Sequence, residues 1–216
     1  MKKSTLRFAL PKGRVLDEAL PLLQKIGFSI EEDVFETRKL ILSMRREDTV
    51  YEILLAKPTD VPTYVEYGVA DIGIVGSDIL LEQKPKVFEL LDMEIGYCHL
   101  SVAGLPDKKN TPLTIKVATK YPQVATEYFR KKGEQVEIIH LHGSIELAPI
   151  LGLSDCIVDI VSTGTTLKEN GLIEKERICD ISTRFIANIS SYRLKSEEIT
   201  NLLEQLRCIN GGGPNE

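Results

Sequence analysis

The sequence predicts an α/β fold with mostly parallel strands, divided into two lobes. Three observations carry that expectation. Short apolar segments alternate with stretches of helical periodicity along the whole chain, the pattern of β-α-β units. There are about eleven strand candidates, more than one open sheet usually holds. The chain has 216 residues, 43% of them hydrophobic, which is enough for one large core or two small ones.

The elements follow in order. Leu6–Leu10 reads as a strand. Gly13–Ile26 reads as a helix with Val15, Leu16, Ala19, Leu20, Leu23 and Ile26 on one face. Leu40–Met44 and Tyr51–Ala56 read as strands joined by the polar turn RREDT. Pro58–Gly68 is a helix with proline near its first position, Ala70–Val75 a strand, and Ser77–Glu82 the start of a helix. Cys98–Leu105 and Ile115–Thr119 are strands, separated by the breaker-rich loop LPDKKNTP. Tyr121–Lys132 is a helix, Val136–Leu141 a strand, and Ser144–Leu151 a short helix with Ser144 as N-cap. Cys156–Val161 is a strand and Thr165–Asn170 a helix closed by Gly171. Ile178–Tyr192 reads as strand, and Lys195–Cys208 as an amphipathic helix with Ile199, Leu202, Leu203 and Leu206 inward. GGGPNE reads as a frayed tail.

Composition narrows the function. The formal net charge is −5 and the pI about 5.4, which argues against nucleic acid as a partner. No apolar run approaches the ~20 residues of a membrane span. The N-terminal MKKSTLRFALPKGR makes a poor signal peptide, because its apolar part is short and Arg7 interrupts it. A cytoplasmic location is the expectation. The cysteines at 98, 156, 179 and 208 show no metal-ligand or redox spacing, so four reduced and mostly buried thiols are expected.

The richest stretch is Cys156–Gly171, CIVDIVSTGTTLKENG. An apolar strand carrying Asp159 runs into Ser162, Thr163, Gly164, Thr165 and Thr166, and then into a helix. Ligands in α/β sheets sit at the carboxyl ends of strands, where helix N–H groups are free. The hydroxyls add donors, and Gly164 allows close backbone approach. A ribose 5-phosphate suits this arrangement, with phosphate on the loop and sugar hydroxyls on Asp159, whose burial demands donors. The residues allow an ordinary alternative, in which the hydroxyls cap a helix and Asp159 pairs locally. Neither GxxxxGK[ST], GxGxxG nor GxSxG is present.

Four other strand ends carry chemistry. ALPKGRV at 9–15 brackets Gly13 with Lys12 and Arg14, two cations suited to diphosphate. AKPTDVPTY at 56–64 places Lys57 after a strand, with Thr59 or Asp60 available as caps. ADIGIVGSD at 70–78 offers Gly73, Gly76 and Ser77 for close approach, although glycine serves packing equally well. LHGSIELAP at 141–149 carries Glu146 near a helix start, where the dipole alone explains it. His140 and His142 lack a third ligand at useful spacing and read as ordinary polar residues.

ALPKGR at 9–14, DIGIVGSDIL at 71–80, GSIELAP at 143–149 and DIVSTGTTLKENGL at 159–172 together resemble the ATP phosphoribosyltransferases, from about Leu6 to Tyr192. The resemblance implies a two-lobed fold like the type II periplasmic binding proteins, with a central cleft. Residues 1–92 plus 181–216 would form one lobe and 93–180 the other, with strands 98–105 and 178–190 crossing between them. It implies transfer of the phosphoribosyl group of 5-phosphoribosyl 1-pyrophosphate (PRPP) to N1 of ATP with loss of pyrophosphate, the first step of histidine biosynthesis. Thr163, Gly164, Thr165 and Thr166, with Ser162, would hold the 5-phosphate, and Asp159 the ribose. Lys12, Arg14 and Lys57 would neutralise the leaving pyrophosphate, which carries Mg2+. Arg38 would meet the ATP phosphates, and Glu146 would contact PRPP. Relatives often carry arginine at position 57, so lysine here keeps the charge without the fork.

The length resembles the family's short form. That form implies a partner subunit resembling histidyl-tRNA synthetase and a catalytic homodimer inside a hetero-oligomer. The rival readings are a small-molecule-binding domain without turnover and a phosphoribosyltransferase acting on another base.

Overall fold

The computed structural model describes residues 6–30, 38–47, 49–106 and 113–209. The loop at 107–112, Glu36 and Thr37, and the terminal GGGPNE lie outside them. The elements in chain order are β1 (Arg7–Pro11), α1 (Arg14–Lys25), β2 (Ser29–Ile30), β3 (Ile41–Arg46) and β4 (Thr49–Ala56). A single 3-10 turn, Pro58–Asp60, leads into α2 (Val61–Glu66), followed by β5 (Ile72–Gly76), α3 (Ser77–Gln83) and β6 (Phe88–Asp92). Then come β7 (Cys98–Gly104), β8 (Ile115–Thr119), α4 (Pro122–Lys131), β9 (Val136–His140), α5 (Leu147–Ile150), β10 (Cys156–Val161) and α6 (Thr165–Glu169). The chain continues through β11 (Ile173–Ile181), β12 (Thr183–Ala187), α7 (Ile189–Leu194) and α8 (Ser196–Ile209).

Two compact units result. One comprises Met1–Leu80, Lys84–Gly96 and Ser182–Glu216, the other Leu81–Gln83 and Tyr97–Ile181.

The first unit is built on a seven-stranded sheet of order β2-β3-β4-β1-β5-β12-β6. Its centre, β4-β1-β5, is parallel, and β3 and β12 flank it in antiparallel sense. Both faces are covered, which is why the central strands read as nearly continuous apolar runs. On one face Phe8 and Leu10 of β1 pack with Leu16, Leu20 and Leu23 of α1 and with Ile199, Leu202, Leu203 and Leu206 of α8. Phe8, Phe28 and Tyr51 meet edge to face there, with centroids 5.1–5.9 Å apart. On the other face Ala9, Val75 and Ile186 pack against Val61 and Val65 of α2 and Ile79 of α3. Gly73 serves this packing, since a Cβ there would stand 2.8 Å from Val65 Cγ2.

The second unit has a five-stranded sheet of order β11-β7-β10-β8-β9, with β10, β8 and β9 parallel and β7 and β11 antiparallel. Val117, Cys156, Val158 and Leu100 face Ala125 and Phe129 of α4. Ala103, Ala118, Ile157 and Val161 face Ile145, Ala148 and Leu167. The N-terminus of α4 has no cap of its own. The Glu82 carboxylate accepts from the backbone N–H groups of Gln123 and Val124, each at 3.0 Å.

Several expectations need correction. Ile178–Tyr192 is not one strand. It divides into the end of β11, which belongs to the second sheet, β12, which belongs to the first, and helix α7, whose N-cap Asn188 accepts from Ser190 and Ser191. Ser144 does not cap a helix. It has φ 46, and α5 starts only at Leu147. The short strands β2 and β6 escaped the periodicity argument. None of the four cysteines forms a disulfide, but only Cys156 is buried: Cys98 and Cys179 are half-buried and Cys208 is exposed.

Candidate active site

Strand order decides where each sheet can hold a ligand. In the first sheet β1 connects through α1 toward β4, while β5 connects through α3 toward β6. The connections diverge between β1 and β5, and ligands bind at the carboxyl ends beside such a divergence. In the second sheet β8 leads through α4 to β9, and β10 leads through α6 to β11. The divergence there lies between β8 and β10.

The basic candidates gather at the first of these places. Pro11 and Ala56 are cross-strand partners, so Lys12 and Lys57 leave neighbouring strands at the same level, about 5 Å apart in the backbone. The Lys12 N–H donates to the Ala56 carbonyl at 2.9 Å and ties the two ends together. Both side chains are exposed. Gly13 has φ 95 and lets the chain turn straight into α1. Arg14, the first residue of that helix, lies 3.8 Å from Glu18 through Nε and donates weakly to the Gly96 carbonyl at 3.5 Å. Glu18 in turn accepts the Gly96 N–H at 2.7 Å. Arg38 is exposed just ahead of β3. Gly76 and Ser77 end β5, but the Ser77 hydroxyl accepts the Ser182 N–H at 3.2 Å and is buried in that structural role.

The hydroxyl loop occupies the second place. Ser162, Thr163, Thr165 and Thr166 are all exposed, between buried Val161 and buried Leu167. Gly164 sits in the left-handed region with φ 73 and ψ 1 as the N-cap of α6. Gly164 itself supplies no side-chain cap. The Thr163 and Thr165 hydroxyls lie 3.0 Å apart, and the Thr165 N–H lies 3.4 Å from Thr163 Oγ1. These two contacts hold Thr163 and Thr165 together at the start of α6. Asp159 is half-buried on β10, on the face shared with Ile157 and Val161. Leu167 packs on that same face, so the loop folds over the side on which Asp159 stands. Glu146 is half-buried at the turn before α5, with no capping hydrogen bond.

The profile of the family described as HisG: ATP phosphoribosyltransferase matches residues 57–208. The chain belongs to the ATP phosphoribosyltransferase family. The ATP phosphoribosyltransferase of Bacillus subtilis (strain 168) is 53% identical over 204 residues, covering 94% of this chain and 95% of that protein. Among solved structures, the ATP phosphoribosyl transferase (HisG:HisZ) complex from Thermotoga maritima contains a chain 37% identical, with a TM-score of 0.82 and coverage of 95% and 98%. The periplasmic aliphatic sulphonate binding protein SsuA from Escherichia coli superposes with a TM-score of 0.60 at 13% identity over 97% of this chain and 73% of that one. That likeness is one of fold and confirms the periplasmic-binding-protein class.

In this ATP phosphoribosyltransferase, three residues that no motif singles out stand on the sheet beside Asp159. Ser101 is the cross-strand partner of Asp159, and His99 that of Val161. Glu174 on β11 accepts from Ser101 Oγ at 2.7 Å and lies 2.9 Å from His99 Nε2. The hydroxyl of Ser101, followed by the His99 ring, holds the Glu174 carboxyl below the ordinary carboxylate range. The only signal in the sequence was the two-residue period of Cys98–Leu105, which puts His99 and Ser101 on one face. No helix among the described residues is long and apolar enough to cross a membrane.

Proposed function

We infer that this chain joins ATP and PRPP, forming N1-(5-phosphoribosyl)-ATP and pyrophosphate, the first step of histidine biosynthesis. Identity above half over nearly the whole chain supports the activity. The hydroxyl loop with its left-handed Gly164, at the divergence of β8 and β10, is the single structural observation that fits it best.

The division of labour follows from chemistry. Thr163, Gly164, Thr165 and Thr166, with Ser162, receive the 5-phosphate through backbone and hydroxyl donors, and Asp159 accepts from the ribose hydroxyls. Glu146 is a further PRPP contact. Lys12, Arg14 and Lys57 supply positive charge to the diphosphate as it departs, and Arg38 to the phosphates of ATP. Adenine N1 is nucleophilic without a base, so the rate gain comes from positioning and charge stabilisation. Mg2+ carried by the diphosphate would supply further positive charge there. No cluster of three or more His, Cys, Asp or Glu among the described residues is placed to hold a metal, and a diphosphate-borne magnesium needs few protein ligands.

We read the chain as the short form of the family, which works with a separate regulatory subunit. The HisG:HisZ assembly of the Thermotoga maritima neighbour supports a HisZ-like regulatory partner, with catalytic dimers inside a hetero-oligomer.

The test is a two-substrate assay with ATP, PRPP and magnesium, with product identified by mass, with and without such a partner. Phosphoribosyl-ATP is expected. Thr166→Val lowers turnover while the thermal midpoint holds. Consumption of PRPP with another base but not ATP would reject the substrate assignment. Full histidine inhibition of the lone chain would reject the regulatory one.

A further inference from the structure

The side chains of His99, Ser101 and Glu174 form a relay that no step above uses. Ser101 is fully buried and spends its hydroxyl proton on Glu174. The His99 ring is 16% exposed, with Nε2 on the same carboxylate oxygen. Among the described residues its Nδ1 has no partner. A carboxylate fixed by a serine and orienting an imidazole is more organisation than a strand edge needs.

The place of the ring gives this organisation a purpose. His99 lies opposite Val161, the last residue before the hydroxyl loop, and Ser101 lies opposite Asp159. Directly paired residues in an antiparallel ladder put their side chains on one face. Here that face is the one over which α6 folds through Leu167. His99 therefore stands between Asp159 and Ser162 along β10, level with the start of the loop. The charged groups around it are Glu174, the exposed ion pair of Arg177 and Asp180 on the same strand, and Asp159 on β10. Lys168 and Glu169 of α6 are exposed.

We propose that His99 is a substrate-binding residue that donates from Nδ1 to the 5-phosphate of the sugar phosphate, with Glu174 and Ser101 as its positioning residues. The inference rests on the assignment of residues 159–166 to that sugar phosphate. With Nε2 given to Glu174, the ring has Nδ1 left for the phosphate, and its doubly protonated form has a donor for each. The imidazolium supplies a charge-assisted contact at the edge of a loop that has only neutral donors of its own.

The experiment is calorimetric titration of ribose 5-phosphate and PRPP into the full chain, for His99→Ala, His99→Gln, Glu174→Gln and Asp159→Asn, with thermal midpoints measured alongside. His99→Ala is expected to weaken both ligands about tenfold, and KM for PRPP to rise more than kcat falls. His99→Gln replaces it should the alanine variant fail to fold. The 15N signals of the His99 ring are expected to move to the doubly protonated form on adding ribose 5-phosphate, and to move less in Glu174→Gln, a response that mere structural support does not produce. Full affinity in both His99 variants beside lost affinity in Asp159→Asn overturns the role of His99 and leaves the loop assignment standing. Full affinity in Asp159→Asn overturns the loop assignment, and this inference with it.

Discussion

The Thr119 hydroxyl donates to the Val158 carbonyl across 2.6 Å, and both residues are fully buried. The same oxygen accepts the Tyr121 N–H at 2.9 Å. One side chain thus joins the carboxyl ends of β8 and β10 at the point where their connections part, one residue before Asp159. It fixes the strand that presents the carboxylate and the turn that opens beside it.

Removing that hydroxyl exposes its value. Thr119→Val keeps the shape but removes the hydroxyl's bonds to the buried Val158 carbonyl and the Tyr121 N–H. The expected loss is about 1–3 kcal/mol, read as a lower denaturant midpoint with an unchanged slope.

Gly164 tests conformation apart from bulk. A Cβ there would meet nothing nearer than Val161 Cγ1 at 3.9 Å, so Gly164→Ala has room. Its φ of 73 still disfavours an L side chain by about 1–2 kcal/mol. The turn relaxes and its donors diverge. KM for PRPP is expected to rise, with only a small change in thermal midpoint.

Lys57 tests charge at the first sheet. Lys57→Ala is expected to raise KM for PRPP about tenfold, and added salt narrows its difference from the parent. Lys57→Arg retains the activity, since the position is exposed and admits the larger head. A loss with arginine equal to that with alanine would show that shape rather than sign matters there.

Acid and base act on the pair of Glu176 and Lys132, which lie 2.6 Å apart. The Lys132 ammonium is the first cause holding the Glu176 carboxyl below its ordinary 4.5, and that carboxylate is the first cause raising Lys132 above 10.5. The carboxylate's contribution to stability is therefore complete above pH 4.5 and fades as pH falls through its lowered value. The lysine's contribution is complete below pH 10.5 and fades as pH rises through its raised one. Glu176→Gln is expected to flatten the acid limb of the stability curve, followed by urea unfolding at stepped pH. Both groups are well exposed to solvent, so the effect is small.

The fold was legible where burial and period agree. Ile115–Thr119 and Cys156–Val161 match β8 and β10 to the residue, and the four inward residues of α8 were read correctly. Legibility failed where one apolar run serves two sheets, as in 178–192, because alternation says which residues point inward but not into which sheet. The candidate site was legible as far as local chemistry reaches, in the loop at 162–166 and the cations at 12, 14 and 57. Glu174 could not be found that way. Its partners lie 73 and 75 positions away, and only the β7–β11 pairing brings them near. Gly73 was read two ways, and its contact with Val65 decides for packing.

The placement of β12 has a consequence for the order of assembly. It is inserted between β5 and β6, although it is made long after both. A ribosome that has delivered the chain as far as residue 181 has supplied all of the second unit, whose sheet can then close. The first sheet still has a gap one strand wide. It must hold its half-made core until the last segment emerges and threads into place, and such distant pairing is intrinsically slow.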